Sequence, residues 1–283
     1  MARAAWQWAG GVAVVTGAAG GIGAALAAVL AGRGMHLALV DRDPEGLAAT
    51  SAQARQRGVT VSGHTLDLLD SAATAALLPA VLAAHSAPVT VLVNNAGMAL
   101  GGRFDQVQPD DFDALMRVNF GAVVQLCRAF LPVLQQQPAA QIVNVSSLFG
   151  LIAPPGQTAY CASKFAVRGF SESLRHELQM ANAPVGVTLV HPGGVRTGIA
   201  AHARVAPGAS AADVAREQAA WQRLLRLSPE AAATQIADAL GRRDARVLVG
   251  RDAVQGAWLQ RLMPVGYWRV VARDIARRVQ RGG

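Results

Sequence analysis

Lysine is almost absent from this chain of 283 residues. The sequence has 26 lysines and arginines together, and Lys164 is the only lysine among them. It stands four residues after Tyr160, which is one of only two tyrosines. An ammonium is a compact point charge with three rotatable donors, whereas a guanidinium is a broad planar fork. Because arginine is the usual cation of this chain, we infer that position 164 needs the smaller group.

Cysteine and long apolar runs are also scarce. The two cysteines, Cys127 and Cys161, are too few for a disulfide framework and fit a reducing compartment. No uninterrupted apolar run reaches the roughly 18 residues that a spanning helix needs. The opening "MARAAWQWAG" reaches a glycine pair before the apolar segment of a secretory signal develops. We therefore expect a soluble, cytoplasmic protein.

The net charge of +8 is concentrated at the C-terminal end. From Arg242 onward, ten arginines oppose three aspartates, so this stretch carries +7. Such a stretch fits nucleic acid or an anionic membrane surface, but a solvated helical face is the commoner meaning. No recognition motif accompanies it, and we expect no nucleic-acid partner. Residues 257–280 mix apolar side chains with arginine, which leaves open a membrane-surface helix pair, a cover over a substrate pocket or a subunit contact.

Apolar β-type runs alternate with longer helical stretches along the chain. Several runs are continuously apolar, as in strands covered on both faces of a parallel sheet. The strict alternation predicts right-handed crossovers and a doubly wound α/β fold. Strands are predicted at 12–16, 36–40, 59–65, 89–93, 141–145, 185–190 and 246–250. Helices are predicted at 21–32, 44–56, 71–85, 110–136, 158–181 and 229–242, the last with Ser228 as N-cap and Pro229 at its first position.

No repeat, linker or low-complexity tract divides this pattern. One domain over residues 1–250, followed by a helical extension over 251–283, is the simplest organisation. Pro264 and Gly266 are expected to interrupt the extension.

The turn after the first strand is rich in glycine. In "TGAAGGIG", Gly17, Gly21 and Gly23 sit where the strand becomes a helix, so backbone N–H groups and the positive helix end can approach a pyrophosphate. Asp41 follows at the end of the second strand, where a carboxylate accepts hydrogen bonds from adenosine ribose hydroxyls. The alternative is that Asp41 caps the helix that begins near Pro44.

Further motifs follow along the chain. In chain order the set is the glycine-rich turn, Asp41, Asp67, "NNAG" at 94–97, Asn119, Ser147 in "NVSS", Tyr160 with Lys164, and "HPGGVRT" at 191–197. Together these motifs resemble those of the short-chain dehydrogenase/reductase family over roughly residues 10–250. The resemblance implies a Rossmann-like, seven-stranded parallel sheet in the order 3-2-1-4-5-6-7. It also implies assembly as a homodimer or homotetramer through the fourth and fifth helices.

The pair Tyr160 and Lys164 can act as an acid–base catalyst. In a helix over residues 158–181 they are i and i+4 on one face. A free tyrosine titrates near pH ~10, and an adjacent ammonium favours the phenolate, so we expect a lowered pKa for Tyr160. The phenol would accept a hydroxyl proton in alcohol oxidation and protonate the developing alkoxide in ketone reduction. Lys164 would also donate hydrogen bonds to the nicotinamide ribose hydroxyls.

The resemblance assigns roles to further residues. Ser147, thirteen residues before Tyr160, is the serine expected to hold the substrate oxygen, with Ser146 as the rival. Asn119 is expected to support a water and Lys164 in a proton relay. The implied catalytic set is therefore Asn119, Ser147, Tyr160 and Lys164, with no metal.

Cofactor contacts are implied along the whole groove. Asp67 is expected to contact adenine, and residues 192–197 to close over the nicotinamide. The implied cofactor-binding residues are Gly17, Gly20, Gly21, Ile22, Gly23, Asp41, Arg42, Asp67, Leu68, Asn94, Ala96, Gly97, Tyr160, Lys164, Pro192, Gly193, Val195 and Thr197.

The cofactor is expected to be NAD. NADP-preferring relatives usually carry a basic residue where this chain has Gly20, and the Asp41 carboxylate would repel a 2′-phosphate. Arg42 keeps NADP open, since a guanidinium beside Asp41 can grip that phosphate. The segment 148–155 and the loop 199–227 are largely apolar and favour a hydrophobic secondary alcohol or ketone as substrate. The alternatives are an NADP-dependent carbonyl reductase and a non-catalytic dinucleotide-binding regulator.

Other residues near these motifs receive no chemical role. His191 and Trp221 are interpreted as packing residues. His202 and Arg204 fit a solvated lid better than a substrate contact. Cys161 follows Tyr160 but points about 100° around the helix from it, so we expect no redox role.

Overall fold

Seven parallel strands form the central sheet of this protein. The structure, a computed structural model, describes residues 6–199, 204–205 and 225–273. The order of the strands across the sheet is β3-β2-β1-β4-β6-β7-β9, and β5 pairs with β8 beside it. The strands of both sheets in the described residues are, in chain order, β1 (Val12–Thr16), β2 (His36–Asp41), β3 (Val61–Thr65), β4 (Val89–Asn94), β5 (Leu100–Gly101), β6 (Ala140–Val145), β7 (Val185–Pro192), β8 (Arg204–Val205) and β9 (Arg246–Val249).

Helices connect the strands and cover both faces of the sheet. With β5 and β8 set aside, the order 3-2-1-4-5-6-7 is confirmed, and so is the doubly wound fold. A π-helical turn (Arg117–Gly121) joins α4 to α5, and a 3₁₀ turn (Leu148–Gly150) follows β6. The helices in the described residues are α1 (Gly21–Gly32), α2 (Pro44–Arg55), α3 (Ser71–Ala84), α4 (Pro109–Met116), α5 (Ala122–Gln135), α6 (Thr158–Met180), α7 (Pro229–Arg242) and α8 (Arg251–Leu262).

Strand β1 shows why its run of apolar residues is unbroken. Every residue of β1 is buried. Ala13 and Val15 pack into the core beneath α1, α2 and α7, whereas Val12 and Val14 pack into the opposite core beneath α3, α5 and α6. Because successive side chains of a strand point to opposite faces, a strand with a core on each side is apolar along most of its length. Its one polar residue, Thr16, is buried, and its hydroxyl donates to the Val93 carbonyl.

Short polar side chains cap the N-termini of α2, α3 and α7. Ser228 accepts a hydrogen bond from the backbone N–H of Ala231, at 3.2 Å, and Pro229 follows it. The predicted N-cap of α7 is therefore confirmed. At α2 the capping carboxylate belongs to Asp43, which accepts from two backbone N–H groups of the first turn. The alternative in which Asp41 caps this helix is wrong, and Asp41 keeps its carboxylate for the turn after β1.

The predicted helix over residues 110–136 contains the π-helical turn. Among the described residues, Pro109–Gln135 is the one helical stretch long and apolar enough to cross a membrane by length and composition. Leu126, Phe130 and Leu134 of this stretch are buried in the core beneath the sheet. Its apolar character is therefore used in packing α5 against the strands.

The chain continues beyond β9 as a helical extension. α8 lies against the 3₁₀ turn after β6, and residues 267–273 are helical again after a turn at 264–266. The Tyr267 hydroxyl accepts a hydrogen bond from the Ala153 backbone N–H at 2.8 Å. A domain boundary at residue 250 stays a prediction. Most of the loop 199–227, with His202 and Trp221, the side chain of Arg204, and residues 274–283 lie outside the described part.

Candidate active site

The carboxyl ends of β1, β4, β6 and β7 come together at one edge of the sheet. Strand order reverses between β1 and β4, so the loops after these two strands diverge to opposite sides. In open parallel sheets, ligands bind in the crevice that forms at this point. The residues after these four strands are those in which the sequence predicts chemistry.

The glycine-rich turn leaves no room for side chains at two of its positions. Gly17 has a φ of +68°, which favours glycine. A methyl group at Gly23 would lie 1.9 Å from the carbonyl oxygen of Gly17. At Gly20, by contrast, a methyl group would meet no atom within 4 Å, so the N-terminus of α1 faces open space there. Gly21 lies beside the methyl group of Thr197.

Asp41 fixes the glycine-rich turn from the neighbouring strand. Its Oδ2 accepts a hydrogen bond from the Ala19 backbone N–H at 2.9 Å, and its Oδ1 accepts from the Asp43 N–H at 3.1 Å. Each carboxylate oxygen keeps a second lone pair for another donor. Arg42, the next residue, is exposed. The carboxylate and the guanidinium that bear on cofactor choice thus both lie at this end of β2.

The loop after β3 and the start of α1 hold the remaining predicted contacts on this side. Asp67 is exposed, and its Oδ1 accepts from the Leu69 backbone N–H at 2.9 Å. Leu68 and Ile22 are partly buried against the cores on the two faces of the sheet.

The "NNAG" segment follows β4 and contacts the glycine-rich turn. Asn94 is buried, and its Nδ2 donates to Asn144 Oδ1 at 2.8 Å, so its side chain lies inside the fold and not in the groove. Asn95, which the sequence did not single out, donates to the Thr16 carbonyl at 2.9 Å. The Ala96 N–H donates to Thr16 Oγ1 at 3.0 Å. Asn95 and Ala96 therefore join the ends of β4 and β1.

Asn119 and Gly97 lie beside the lysine. A methyl group at Gly97 would be 3.2 Å from Asn119 Oδ1 and 3.4 Å from Lys164 Nζ. Asn119 is buried in the π-helical turn, where its amide accepts from the Met98 N–H at 2.8 Å and donates to the Met98 carbonyl at 3.0 Å. π-helical turns are frequent at functional sites, and this one turns an asparagine towards the loop after β4.

Tyr160 and Lys164 lie on the same side of α6, as their spacing predicts. Lys164 Nζ is 5.7 Å from the centroid of the Tyr160 ring. The ammonium is buried, with 3% of the residue exposed, and donates to the Val145 carbonyl at 3.1 Å. The lone lysine is thus a buried cation inside the site.

The two adjacent serines after β6 have different partners. The Ser146 hydroxyl donates to the Lys164 carbonyl at 2.8 Å and is buried. Ser147 faces Tyr160, and a hydrogen bond from its hydroxyl favours the phenolate form. Its oxygen also accepts from the Phe149 N–H at 3.1 Å. Of the two rivals, Ser147 is the one beside the tyrosine.

Burial shifts the pKa values of the pair. It raises the pKa of Tyr160 to about 12, although the hydrogen bond from Ser147 acts in the opposite direction. The lowered pKa that the sequence predicts for Tyr160 is therefore wrong, because burial outweighs the neighbouring groups. Burial also lowers the pKa of Lys164, from an ordinary value of 10.5 to about 8. At neutral pH the phenol keeps its proton and most of the lysine is still charged.

His191 holds the backbone of Ser147 in position. Its Nδ1 lies 2.8 Å from the carbonyl oxygen of Ser147. Burial lowers the pKa of His191 to about 4, so the ring is neutral and Nδ1–H is the donor in this bond. The interpretation of His191 as a packing residue missed this contact, since its partner is 44 residues away. Pro192, buried at the end of β7, follows it.

The loop "PGGVRT" is fixed by the C-terminal extension. Gly194 N–H donates to Asp252 Oδ2 at 2.5 Å, so the first turn of α8 holds this loop. Gly193 packs against the same carboxylate, leaving no space for a side chain. Val195 is buried and forms a β-bridge with Leu227. In the sequence, Asp252 is one of the three aspartates that follow Arg242, and no motif marks it.

Other chemistries find little support in the described residues. No three His, Cys, Asp or Glu side chains among them gather closely enough to hold a metal ion. Cys127 and Cys161 are buried free thiols, and burial raises the pKa of each to about 12. Both therefore stay protonated and unreactive at neutral pH.

Comparison with known proteins agrees with this geometry. Residues 11–208 match the family described as short chain dehydrogenase. SadH of Mycobacterium tuberculosis, an oxidoreductase by name, is 44% identical over 268 residues, which cover 95% of this chain and 96% of that protein. A Burkholderia phymatum short-chain dehydrogenase/reductase solved with NAD matches at 34% identity with a TM-score of 0.84, covering 91% of this chain and 95% of that one.

A second solved structure carries the other dinucleotide. It is a metagenomic short-chain oxidoreductase in complex with NADP, at 34% identity and a TM-score of 0.69, covering 86% of this chain and 98% of that one. The sheet order and the glycine-rich turn at its switch point define the Rossmann-like class of α/β proteins. Within that class, the chain belongs to the short-chain dehydrogenase/reductase family of oxidoreductases.

The tight contact at Gly23 generates a first prediction. We expect Gly23→Ala to lower the free energy of unfolding by about 1–3 kcal/mol, because the new methyl group would overlap the carbonyl oxygen of Gly17. Urea denaturation measures this loss. Gly20→Ser is the matched control, since position 20 is extended and open and a serine there can cap α1. Equal stability of the two variants would contradict the packing described for this turn.

Proposed function

We propose that this protein is an NAD-dependent oxidoreductase that transfers hydride between nicotinamide and a hydrophobic secondary alcohol or ketone. The observation that carries the proposal is the meeting of Ser147, Tyr160 and Lys164 at the carboxyl end of the sheet. A buried ammonium beside a phenol that also faces a hydroxyl is an acid–base arrangement with a hydrogen-bond donor for a substrate oxygen.

The residues of the groove fit a dinucleotide. The N-terminus of α1 offers backbone N–H groups, and the open space at Gly20 leaves room for a pyrophosphate. The Asp41 carboxylate has lone pairs for ribose hydroxyls and repels a 2′-phosphate. The NAD-bound Burkholderia relative supports this choice. NADP is the second candidate, because Arg42 is exposed beside Asp41 and the metagenomic relative carries NADP.

The chain's own residues handle the proton. The bound nicotinamide supplies or accepts the hydride at the substrate carbon. In ketone reduction Tyr160 donates its phenolic proton to the oxygen as the C–H bond forms, and Ser147 holds that oxygen by a hydrogen bond. In alcohol oxidation the same proton returns to Tyr160 while the C–H bond breaks. The raised pKa keeps Tyr160 in the proton-donating form at neutral pH.

Apolar side chains surround the tyrosine and support a hydrophobic substrate. The Phe149 ring meets the Tyr160 ring edge-to-face, with 6.1 Å between centroids. Met98 and Tyr160 pack against the same cluster of buried apolar residues. Leu151 and Ile152 of the following segment are buried. Such surroundings favour an apolar substituent on the carbinol carbon over a sugar or a carboxylate.

We also propose that the protein is cytoplasmic and assembles as a homodimer or homotetramer. The reducing compartment agrees with two free, buried thiols. The family resemblance predicts subunit contacts through the fourth and fifth predicted helices, residues 110–136 and 158–181, which correspond to α4, α5 and α6.

The acid–base role of Tyr160 predicts a large loss of turnover in Tyr160→Phe. We expect kcat to fall by about 10²–10⁴-fold for hydrophobic alcohols and ketones, because the proton donor is removed. Absorbance of the reduced nicotinamide across a substrate panel measures it. Tyr267→Phe, at the only other tyrosine, is the control. It removes one hydrogen bond, the one from the Ala153 N–H, and its kcat should stay close to that of the parent. Tight dinucleotide binding with no turnover of any substrate by the parent would favour a non-catalytic regulator instead.

The lowered pKa of Lys164 predicts a pH dependence of dinucleotide binding. If its ammonium donates to ribose hydroxyls, the charge that strengthens these hydrogen bonds is lost as the pH rises through about 8. We expect the dissociation constant of the reduced dinucleotide to rise by up to about tenfold per pH unit above that value. Fluorescence titration measures this constant. Lys164→Arg keeps its charge, so its weaker binding should be flat over the same range.

The stability of the fold should change in the opposite direction. Because burial places the folded-state pKa of Lys164 below the unfolded value of 10.5, the unfolded chain binds more protons between these two values. The contribution of this group to stability is therefore full above pH 10.5 and declines as the pH falls towards 8. Weaker binding at high pH is thus not explained by unfolding through this lysine. A dissociation constant of the reduced dinucleotide that does not change with pH in the parent would contradict the proposed contact between Lys164 and the ribose.

Cofactor preference depends on the carboxylate at the end of β2. We expect Asp41→Ala to lower the ratio of kcat/KM for NAD over NADP by about tenfold or more, since hydrogen bonds to ribose are lost and repulsion of a 2′-phosphate ends. Steady-state kinetics with both dinucleotides measure the ratio. Asp43→Ala removes a carboxylate two residues away that only caps α2, and should leave the ratio unchanged. A parent enzyme that prefers NADP would overturn the choice of NAD.

A further inference from the structure

Exposed apolar side chains concentrate on the C-terminal extension. Of eleven large apolar side chains that are exposed in the described residues, six lie between positions 254 and 270. Leu262 is 74% exposed and Val265 is 92% exposed. We call these six the tail face: Val254, Trp258, Leu262, Met263, Val265 and Val270.

Three residues of the tail face lie on one side of α8, whose other side is packed. Ala253 of α8 is buried, and Gly256 packs against the Leu148 side chain of the 3₁₀ turn. Val254, Trp258 and Leu262 are spaced i, i+4 and i+8, so they form a stripe that points away from that contact. The interior of the protein does not need these residues, because α8 is already docked through its opposite side.

Positive charge surrounds the tail face. Residues 253–273 contain three arginines and no aspartate or glutamate. The Arg261 guanidinium lies 5.9 Å from the centroid of the Trp258 ring, and Arg269 and Arg273 are exposed. A tryptophan and aliphatic side chains flanked by basic residues match a membrane interface, where acyl chains meet anionic headgroups.

We propose that the tail face docks onto an anionic lipid surface. The turn at residues 264–266 would enter the headgroup region with Leu262 and Val265, while the arginines contact the lipid phosphates. A second copy fits less well, because a two-fold interface would bring the same basic patch against itself. Nucleic acid also fits less well, since the apolar side chains of Leu262 and Val265 make no favourable contact with a phosphate backbone.

Docking there would bring the membrane close to the substrate segment. Gly256 packs on Leu148, and the Tyr267 hydroxyl accepts from the Ala153 N–H, so the extension touches both ends of the apolar stretch after β6. An apolar substrate dissolved in the bilayer would then have a short path to the site. The docking itself does not depend on the proposed chemistry.

Vesicle flotation tests the proposal. The parent should float with vesicles of phosphatidylcholine that contain about a third phosphatidylglycerol, and bind pure phosphatidylcholine more weakly. Leu262→Asp and Val265→Asp should each lower vesicle binding about tenfold, because a charge replaces apolar area that the lipid would bury. Arg261→Gln and Arg269→Gln should each lower it about fivefold, on anionic vesicles only. Met180→Asp, at an 85% exposed methionine outside the tail face, should bind like the parent.

Each variant must first be shown to be folded. Its thermal unfolding and its dinucleotide binding should match those of the parent. Vesicle binding that both aspartate variants retain would overturn the proposal. A second result would also overturn it: the parent binds no vesicles, and the aspartate variants show a lower oligomer mass in sedimentation. The tail face would then be a subunit contact. A parent that binds vesicles but no dinucleotide would refute the proposed enzyme and leave the membrane surface standing.

Discussion

Two hydrogen bonds between the end of β6 and α6 hold Ser147, Tyr160 and Lys164 together. The Lys164 ammonium donates to the Val145 carbonyl, and the Ser146 hydroxyl donates back to the Lys164 carbonyl. Because Ser147 is the next residue of the chain and Tyr160 lies one turn earlier on α6, these bonds set the serine against the tyrosine. The single lysine of the chain is therefore structural as well as chemical.

Burial, more than mutual attraction, governs the charges of this pair. It disfavours the phenolate of Tyr160 and the ammonium of Lys164 alike, which raises the pKa of the phenol and lowers the pKa of the ammonium, so that the two values move apart. Sequence spacing predicted that the two side chains are neighbours, and they are. Spacing says nothing about how much protein surrounds them, which is why the predicted sign of the tyrosine shift was wrong.

The same distinction separates what could and could not be predicted elsewhere. The bounds of β1 and α1 follow from a strictly apolar run and a glycine turn, and both are local signals. The π-helical turn at Asn119 depends on Met98, which is 21 residues away, so no local pattern marks it. Neighbouring asparagines look alike in sequence, yet Asn94 faces the core and its neighbour faces the turn. Asp252 holds a loop 58 residues earlier and carries no motif at all.

The extension links three features that the sequence presents as separate. Its first turn fixes the Gly194 N–H through Asp252, its second helical segment reaches Ala153 through Tyr267, and its outer stripe carries the exposed apolar side chains. The two contacts lie in the loop after β7 and in the segment before α6. A lipid surface that orders the extension from its outer side, as proposed above, would therefore also order this loop and this segment. These contacts need no movement of the sheet.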